Sequence, residues 1–487
     1  MLINKNALQA LMRALALPLM GEGVAMLLCV PASLHFADGT AWAMAACGLF
    51  VALVGLLLRI SAPPLRQQPK PRVSYLIVVL LWLLMTLGAS LPFLATGAFH
   101  SLSSSFFEAT SALTSTGATA AQEVEALPAS IILWRSVAQW IGGYGIVVLV
   151  LAVVPSLGIN KYSLYTAEVS GADNTGKSVT SMAGTIRQTM AAYAVLTLFF
   201  VIVLIAMGMQ PWDATNLVFC NISTGGFSPY GDGIARFSAA QQYVLAGAML
   251  CGGMNFMMLH NLFTLRFRLL RGKLDQLGTY LSLTLLVAVG VFAALRWRMG
   301  YAWPEAARLA VVHTVSAATT TGSLSADTSL WWPPVQLLFL ALGLCGGMAG
   351  STSGGLKTMR VLILLRNVRA ILRGRLHPHA VNPVRLNGSP VPERLVNNVM
   401  VIFLFFVFSL LACTIVLSLL GVPVHEALGA AVGCVSGYGP GLGRCGGFGS
   451  YAFMSPTALW TLSATMLLGR LEFMAVIVLF LPSFWRK

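Results

Sequence analysis

Charged residues are scarce in this sequence of 487 residues: Asp, Glu, Lys and Arg make up 9% of it, and hydrophobic residues 57%. Because a soluble domain carries about 25% charged residues, no sizeable soluble domain is expected. Only 15 side chains are acidic, and the sequence lacks the HExxH-type motifs and nucleophile–base sets that enzymes use. The composition therefore predicts an all-α polytopic membrane protein and argues against an enzyme.

Cysteine is present, but none of its usual patterns for chemistry is. The eight cysteines form no CxxC pair and no metal-ligand spacing, which argues against a zinc site or a redox motif. Most of them lie in apolar stretches, as packing residues do. Cys434 and Cys445 flank the last of the four turns described below, and the sequence leaves open whether they form a disulfide.

The net charge of +15 does not require a nucleic-acid partner, because the basic residues fall mostly in short loops between apolar stretches. Such loops are typical of the cytoplasmic side of a membrane. The loop residues are Arg59, Arg66, Lys70, Arg72, Lys161, Lys177, Arg266, Arg268, Arg271, Lys273, Arg366, Arg369, Arg373, Arg375, Arg385 and Arg394. The opposite side carries the acids Glu123, Glu125, Asp213, Asp232, Glu305, Asp327 and Glu426. This asymmetry predicts two cytoplasmic termini and an acidic outer rim that attracts cations.

The hydrophobic pattern predicts ten membrane spans, since a spanning helix needs roughly 20 apolar residues. The first region, residues 1–72, contains two spans at 7–34 and 39–60 and a basic loop. Its apolar N-terminal stretch is interpreted as a retained helix and not as a cleaved signal peptide.

Four repeats follow, and each has a long apolar stretch, a short one and a second long one. The repeats occupy residues 73–160, 161–273, 274–392 and 393–487. Their long stretches are 73–97 and 129–155, 185–209 and 237–266, 277–298 and 333–373, and 396–420 and 455–484. The short stretches are 103–113, 212–222, 304–318 and 424–435. Short apolar stretches of this length are typical of segments that enter the membrane and return.

Each short stretch ends in a turn that contains glycine, and the turns recur at intervals of roughly a hundred residues. The predicted site consists of Ser115, Thr116, Gly117, Ser223, Thr224, Gly225, Thr320, Thr321, Gly322, Gly437, Tyr438 and Gly439. One such turn would more simply be explained by small residues that let helices pack closely. Four turns, each after a short helix, predict rings of backbone carbonyls that replace the hydration shell of a cation.

Several motifs resemble those of the Trk/Ktr/HKT superfamily of potassium transporters, most nearly its TrkH-type bacterial branch. Besides the four turns, they are Trp134–Ser136, Gln139–Gly143, Ser223–Ser228, Gly350–Lys357, Gly439–Gly443 and Met466–Glu472. The resemblance covers almost the whole chain. It implies four membrane–pore loop–membrane repeats around one central pore, with two additional N-terminal helices.

The resemblance also implies function and partners. Glycine in all four filters goes with potassium selectivity in that superfamily, so potassium is expected as the transported substrate, with no organic cofactor. The fourth turn departs from the threonine-rich pattern and carries Tyr438. Implied partners are a second copy of the chain in a homodimer, a cytosolic nucleotide-binding regulatory subunit (RCK-type, TrkA-like) and membrane lipid. The implied location is the bacterial inner membrane.

The second long stretch of the third repeat, 333–373, is too long for one crossing and rich in glycine, which is unfavourable inside helices. A flexible, tightly packed helix is one interpretation. The resemblance implies another, an intramembrane loop that blocks the path beneath the filter. Arg470 lies in the last span, where a charge marks a functional site by default, and it is predicted to hold this loop through carbonyl groups. A snorkelling side chain or a structural ion pair is the alternative. Lys357, at the inner end of the loop, either assists Arg470 or is an interfacial anchor. The predicted gate comprises Gly346, Gly347, Gly350, Gly354, Gly355, Lys357 and Arg470.

Two alternatives to a potassium channel-like uptake protein remain. One is a symporter that couples potassium to protons or sodium, although no embedded chain of Asp, Glu and His is evident. The other is a membrane-embedded enzyme or a non-conducting scaffold. The GxGxxG match at 441–446 follows no strand and is not interpreted as a dinucleotide site. His313 is interpreted as a structural residue, because no second metal ligand lies at i+3 or i+4.

Overall fold

The computed structural model describes residues 5–62, 71–153, 182–265, 274–377, 379 and 382–485. Of the basic residues used above to predict topology, Arg66, Lys70, Lys161, Lys177, Arg266, Arg268, Arg271 and Lys273 lie outside the described residues. Within the described part, the chain is almost entirely helical, and its one pair of strands is a short hairpin formed by β1 (Arg385–Leu386) and β2 (Ser389–Pro390).

The N-terminal region forms α1 (Lys5–Leu27), α2 (Val30–Phe36) and α3 (Ala41–Ser61). Glycines bring α1 and α3 into close contact: a Cβ added at Gly23 or Gly55 would overlap backbone atoms of the other helix. Small residues favour such packing in membranes, where the hydrophobic effect does not drive helices together.

The loop between α2 and α3 attaches this region to the first repeat through Asp38. Its carboxylate accepts a hydrogen bond from the backbone N–H of Ser130 at 3.0 Å. Burial alone would raise the pKa of Asp38, but the hydrogen bonds from Ser130, Ser33 and Thr40 outweigh it, and the pKa falls to about 2. The carboxylate is therefore charged at neutral pH and is favourably placed at the N-terminus of the helix that begins at Ala129.

The four repeats form the following helices. Repeat one contains α4 (Pro71–Ala95), α5 (Leu102–Leu113) and α6 (Ala129–Val153), and repeat two contains α7 (Met182–Ala206), α8 (Pro211–Ile222), α9 (Ala239–Gly252) and α10 (Phe256–Phe263). Repeat three contains α11 (Leu274–Ala293), extended by a π-helical turn (Ala294–Arg298), then α12 (Trp303–Ala318), α13 (Pro333–Cys345) and α14 (Thr358–Leu376). Repeat four contains α15 (Glu393–Leu419), α16 (Val424–Ser436), α17 (Pro456–Arg470), α18 (Met474–Phe480) and α19 (Pro482–Trp485).

Two of the predicted long spans are not continuous. The span predicted at 237–266 bends by 109° between α9 and α10, and the one predicted at 455–484 bends by 112° between α17 and α18. At the first bend, the Asn255 side chain accepts a hydrogen bond from the Met258 N–H and so starts a new helix. At the second, Glu472 and Phe473 adopt positive φ angles of 55° and 60°, which no α-helix accommodates.

The interruption predicted within 333–373 lies between Cys345 and Thr358. Among the described residues, six helices are long and apolar enough to cross a membrane, and eight if each bent pair is one crossing. Helix α6 and the interrupted pair α13/α14 occupy the positions of the other two predicted spans.

The short helices α5, α8, α12 and α16 form the centre of the molecule. Most of their side chains are buried, including polar ones such as Thr110, Asn216 and Thr314. The long helices lie outside them and expose large apolar side chains, for example Leu285, Leu404 and Phe408. This inverted distribution suits a protein whose surroundings are lipid and whose polar site is internal.

Candidate functional site

The four short helices end in the same backbone conformation. The residue that follows each helix's last turn lies in the left-handed region, with φ of 53° at Ser115, 54° at Thr224, 54° at Thr320 and 67° at Gly437. Three of these four residues carry a side chain, and for them this conformation is unfavourable by about 1–2 kcal/mol. Its recurrence shows that the four turns are structurally equivalent.

Backbone hydrogen bonds fix the register of the four turns. In each turn, the residue after the left-handed one donates its backbone N–H to a carbonyl oxygen of the preceding short helix. The four bonds run from Thr116 to Ser111, Gly225 to Cys220, Thr321 to Ser316 and Tyr438 to Gly433, at 2.8–2.9 Å. The residues after these four are glycines with positive φ, namely Gly117 (83°), Gly226 (74°), Gly322 (75°) and Gly439 (90°).

The glycine of the second turn is therefore Gly226, and matching Gly225 to the other three glycines was wrong by one residue. The sequence reads Thr224-Gly225-Gly226, which offers two registers. The match of Ser-Thr-Gly to the first turn favoured Gly225. Gly225 instead occupies the position of Thr116 and Thr321, and its φ is not among the positive values.

The four glycines close a ring. A Cβ added at any of them would overlap a carbonyl oxygen of another turn: Gly117 faces the oxygen of Gly225, Gly226 that of Thr321, Gly322 that of Tyr438, and Gly439 that of Thr116. Each turn thus contacts the next in the order one, two, three, four and back to one. The positive φ and the close approach both require glycine at these positions.

The ring separates two cavities. One, called the outer cavity after the topology predicted from the sequence, is lined by all four glycines together with Ala118, Phe227 and Tyr451 among others. The other, called the inner cavity, is lined by Thr114, Thr116, Ser436 and Gly437 from the turns and by residues of the interrupted segment of repeat three. Gly117 lines the outer cavity and Thr116 the inner one, so the ring lies between them.

A buried ion pair holds the segments that leave the first two turns. Arg135 Nε lies 2.8 Å from Glu108 Oε1, and both side chains are at most 2% exposed. Arg135 also donates to the carbonyl of Ser228 at 3.2 Å, and the Ala120 N–H donates to Glu108 Oε2 at 2.8 Å. Sequence reasoning assigned no role to Glu108, although an acid within a short apolar helix was a usable signal.

Two further side chains support the ring, and sequence reasoning gave neither of them this role, although Gln139 belongs to one of the family motifs. Gln139 Nε2 donates to the carbonyl of Gly225 at 2.8 Å, and Gln139 Oε1 accepts from the Phe227 N–H at 3.2 Å. Tyr451 donates its hydroxyl proton to the carbonyl of Gly439 at 2.8 Å. Both residues come from segments that follow a turn, so their proximity to the ring depends on the tertiary fold.

The segment 346–357, hereafter the intramembrane loop, lies against three of the four turns. The Gly354 N–H donates to Thr320 Oγ1 at 2.7 Å, and the Gly355 N–H donates to the carbonyl of Ser436 at 2.7 Å. Thr352 Oγ1 donates to the carbonyl of Ile222 at 3.1 Å. The loop therefore covers the inner side of the ring.

The bend between α9 and α10 supports the other side of the intramembrane loop. The Met348 N–H donates to the carbonyl of Gly253 at 2.8 Å, and the Phe256 N–H donates to that of Gly350 at 3.2 Å. Asn255 Nδ2 donates to the carbonyl of Ala349 at 2.6 Å. Glycine is needed here too, since a Cβ at Gly347 would lie 2.6 Å from the Gly253 oxygen.

Arg470 connects the intramembrane loop to the first turn. It ends α17 and is 7% exposed. Its guanidinium donates to the carbonyl of Thr352 at 2.8 Å, to that of Gly142 at 3.2 Å and to Ser115 Oγ at 3.4 Å. The bond to Thr352 is the kind of contact predicted for this residue. Its Nε has no hydrogen-bond partner among the described residues.

Lys357 and Glu472 complete the charges around the inner cavity. Lys357 Nζ donates to the carbonyl of Ser353 and lies 3.5 Å from that of Ser351. Glu472 Oε2 accepts from Arg360 at 2.6 Å. Sequence reasoning placed Lys357 at the inner end of the loop and overlooked the pair of Arg360 with Glu472, because 112 residues separate them in the chain.

Three residues to which the sequence gave no functional role are buried in the structure. His313 Nε2 lies 3.1 Å from Ser325 Oγ within the third repeat. Cys434 and Cys445 are both free, buried thiols. Among the described residues, no group of three or more His, Cys, Asp or Glu side chains is placed to hold a metal ion.

Comparison with protein families gives one match to nearly the whole chain. The profile of the TrkH family, described as cation transport protein, matches residues 43–295 and 300–487. The chain is 33% identical over 486 residues to the Trk system potassium uptake protein TrkH of Halomonas elongata, covering 99% of this chain and 100% of that protein. It is 31% identical over 442 residues to the protein of the same name from Escherichia coli, covering 90% and 91%.

The fold also matches a solved structure. The crystal structure of the potassium transporter TrkH from Vibrio parahaemolyticus superposes with a TM-score of 0.89 at 29% sequence identity. The match covers 98% of this chain and 99% of that one. The all-α architecture predicted from the sequence is confirmed by this likeness.

Proposed function

The chain belongs to the TrkH family of cation transport proteins, and from this premise we propose that it takes up potassium through the ring of four turns. The curated relatives are named potassium uptake proteins. The observation that carries the proposal is the closed ring, in which each glycine contacts a carbonyl oxygen of the next turn. Carbonyl rings of this kind replace the hydration shell of a permeating ion.

The proposed filter consists of the twelve residues predicted from the sequence, with Gly226 added as the glycine of the second turn. Uniform glycine lets the four backbones approach equally closely, which favours one ion size around the ring. Side chains behind the ring hold it in shape, chiefly Gln139 and Tyr451. Polar groups held this way resist collapse when an ion leaves.

We further infer that the intramembrane loop is the gate. It contacts the second, third and fourth turns directly, and Arg470 bridges it to the first turn. Glycines at 346, 347, 350, 354 and 355 allow it to lie flat under the ring. Opening requires the loop to leave these contacts, and the bonds made by Arg470 oppose that movement.

The protein is multi-pass and is proposed to lie in the bacterial inner membrane with the filter on the outer half and both termini in the cytoplasm. Uptake is then driven by the membrane potential, worth about 2.3 kcal/mol per charge per 100 mV. A homodimer and a cytosolic nucleotide-binding regulatory subunit are proposed as partners, in line with relatives named as parts of a Trk system.

The test is potassium flux against sodium flux in proteoliposomes that contain the full chain. A potassium-selective channel-like protein moves potassium down its own electrochemical gradient at any imposed proton or sodium gradient. Potassium accumulation that depends on a proton or sodium gradient would instead favour the symporter.

Growth rescue separates a transporter from a scaffold. Gly117→Ser or Gly322→Ser should abolish the rescue of a potassium-uptake-deficient strain at low external potassium with expression intact. Gly290→Ala serves as the matched control, because a Cβ there meets nothing within 4 Å. Full rescue by both ring variants would contradict the proposed filter.

A further inference from the structure

The side chain of Lys357 turns back toward the filter. Lys357 immediately precedes α14 with a φ of 70°, a conformation that residues with a side chain rarely adopt. Its ammonium donates to the carbonyl of Ser353 and lies 3.5 Å from that of Ser351. A half-buried lysine that could extend away from the loop is thus bound to two carbonyl oxygens of the loop itself.

Of these two residues, Ser353 lies beside the proposed ion path. Ser353 and Lys357 line the inner cavity together with Thr116 and Gly437 of the filter turns. A cation that leaves the ring inward therefore enters a cavity that Lys357 lines. Backbone carbonyl oxygens bind ammonium groups and potassium by the same attraction of partial negative charge for a monovalent cation.

We propose that the carbonyls of Ser351 and Ser353 form a monovalent-cation site below the filter, and that the Lys357 ammonium fills this site in the closed state as a tethered blocking cation. Opening exchanges the ammonium for a potassium ion. This inference rests on the proposed function, and it adds to the gate a ligand site and the chemical class that occupies it, a primary ammonium or an alkali cation.

The charges around the inner cavity support a block by charge as well as by size. Lys357 and Arg470 are both cations that line it. The one acid in the lining, Glu472, is paired with Arg360 at 2.6 Å and also attracts Lys357 and Arg470, so one carboxylate is shared among three cations. A potassium ion that enters while Lys357 is in place meets two positive groups, so it is repelled even if the cavity has room for it.

The two cations differ in how easily they can leave. Arg470 bonds to three separate elements through a planar guanidinium, and its removal disturbs all of them. Lys357 contacts the loop through a compact ammonium on a flexible stem of four carbons. It can swing away while the loop backbone moves little, which suits an exchangeable blocker.

The experiment measures resting potassium flux in proteoliposomes for the wild type, Lys357→Met and Arg369→Met. Methionine keeps roughly the length of the lysine side chain and removes its charge. Arg369 is an exposed cation of α14, the helix that Lys357 precedes, so Arg369→Met controls for the loss of charge alone. We expect Lys357→Met to raise resting flux by about tenfold or more, as for the loss of one charge-assisted hydrogen bond from the closed state. Arg369→Met should leave it unchanged.

Ethylammonium, which reproduces the end of the lysine side chain, tests the site itself. Present on both sides, it should restore the block in Lys357→Met at concentrations that leave wild-type flux unaffected. Equal resting flux in Lys357→Met and the wild type, or equal inhibition of both by ethylammonium, would overturn the proposal. If the methionine variant fails to fold, Lys357→Cys before and after attachment of an ethylammonium thiol reagent gives the same test, with the reagent-treated wild type as control.

The two proposals fail separately. A wild type without potassium flux, or with equal potassium and sodium flux, contradicts the filter. A selective wild type whose Lys357 variants show unchanged resting flux and no sensitivity to ethylammonium contradicts only the tethered cation.

Discussion

The ring of four turns and the intramembrane loop beneath it are both non-helical backbone buried in the centre of the molecule, but they are held in different ways. The ring is made of four equivalent contacts, each between a glycine and a carbonyl oxygen of the next turn. The loop occurs once and is held by side chains from several repeats, among them Thr320, Asn255 and Arg470.

The buried arginines beside the two regions also differ in how completely their hydrogen-bonding groups are paired. Beside the ring, Arg135 is paired with Glu108, and that carboxylate receives further hydrogen bonds. Beside the loop, Arg470 bonds to carbonyls and a hydroxyl, and its Nε has no partner among the described residues. A fully satisfied buried pair makes a permanent frame, whereas an incompletely satisfied cation makes a contact that can be given up.

Breaking the ion pair beside the ring should give the largest effect. Glu108→Gln leaves the buried Arg135 without its counter-charge, which costs about 3–5 kcal/mol of folding free energy. We expect a marked fall in the melting temperature in detergent and reduced expression. The exposed pair of Glu125 with Arg236 provides the control, and Glu125→Gln should cost less than about 1 kcal/mol.

Adding Arg135→Gln to Glu108→Gln sharpens this test. The second substitution removes the uncompensated charge, so the double variant should be more stable than Glu108→Gln alone. A double variant no more stable than the single one would mean that packing, not charge, maintains this frame.

The next largest effect is expected at Gly226, the ring glycine of the second turn, which the sequence alone did not identify. Gly226→Ala forces a side chain into a φ of 74° and onto the Thr321 carbonyl. The backbone strain alone is about 1–3 kcal/mol, and the overlap with the Thr321 carbonyl oxygen adds to it. Both fall on the ring, so potassium-over-sodium selectivity in proteoliposome flux should be lost.

Gly225→Ala is the matched neighbour. Its Cβ would meet the end of the Gln139 side chain, at 2.4 Å from Cδ and 2.6 Å from Oε1, and not backbone. Gly225→Ala should therefore lose less selectivity than Gly226→Ala, because a side-chain end can shift where a backbone carbonyl cannot. An equal loss in both variants would show that the two glycines are interchangeable and that the register derived from backbone angles has no functional meaning.

The smallest of the three effects is expected at the loop. Arg470→Gln removes charge-assisted hydrogen bonds worth about 1.5–3 kcal/mol from the closed state. Resting potassium flux should rise, while selectivity and melting temperature change little, in contrast to the ring variants. Arg373→Gln, an exposed arginine of α14, should change neither. A loss of selectivity in Arg470→Gln with no rise in flux would contradict the division between filter and gate.

Much of the architecture could be predicted from the sequence because lipid leaves few choices. Apolar stretches of sufficient length must be helices, since backbone groups in lipid need internal partners. The positions of α4, α5 and α16 followed from length and glycine alone. The bends after Gly252 and Arg470 did not, because hydropathy continues through them without a break.

The part of the site formed by the four repeated glycine turns was largely predictable from the sequence. The parts that depend on a single contact between distant residues were not. Three of the four ring glycines were assigned in register. Gly226 was not, since a Gly-Gly pair carries no information about which residue takes the positive φ. Glu108, Gln139 and Tyr451 were missed because each acts on a turn only after the repeats pack.

The sequence by itself determined that this chain lies in a membrane, that it has four related repeats and that each repeat ends a short helix in a glycine turn. These features are local, and they follow from apolar length and from the conformational freedom of glycine. The tertiary structure decided that the turns close into a ring, which glycine faces which carbonyl, and that Arg470 and Lys357 meet the intramembrane loop. Those contacts join residues from different repeats, so only packing brings them together.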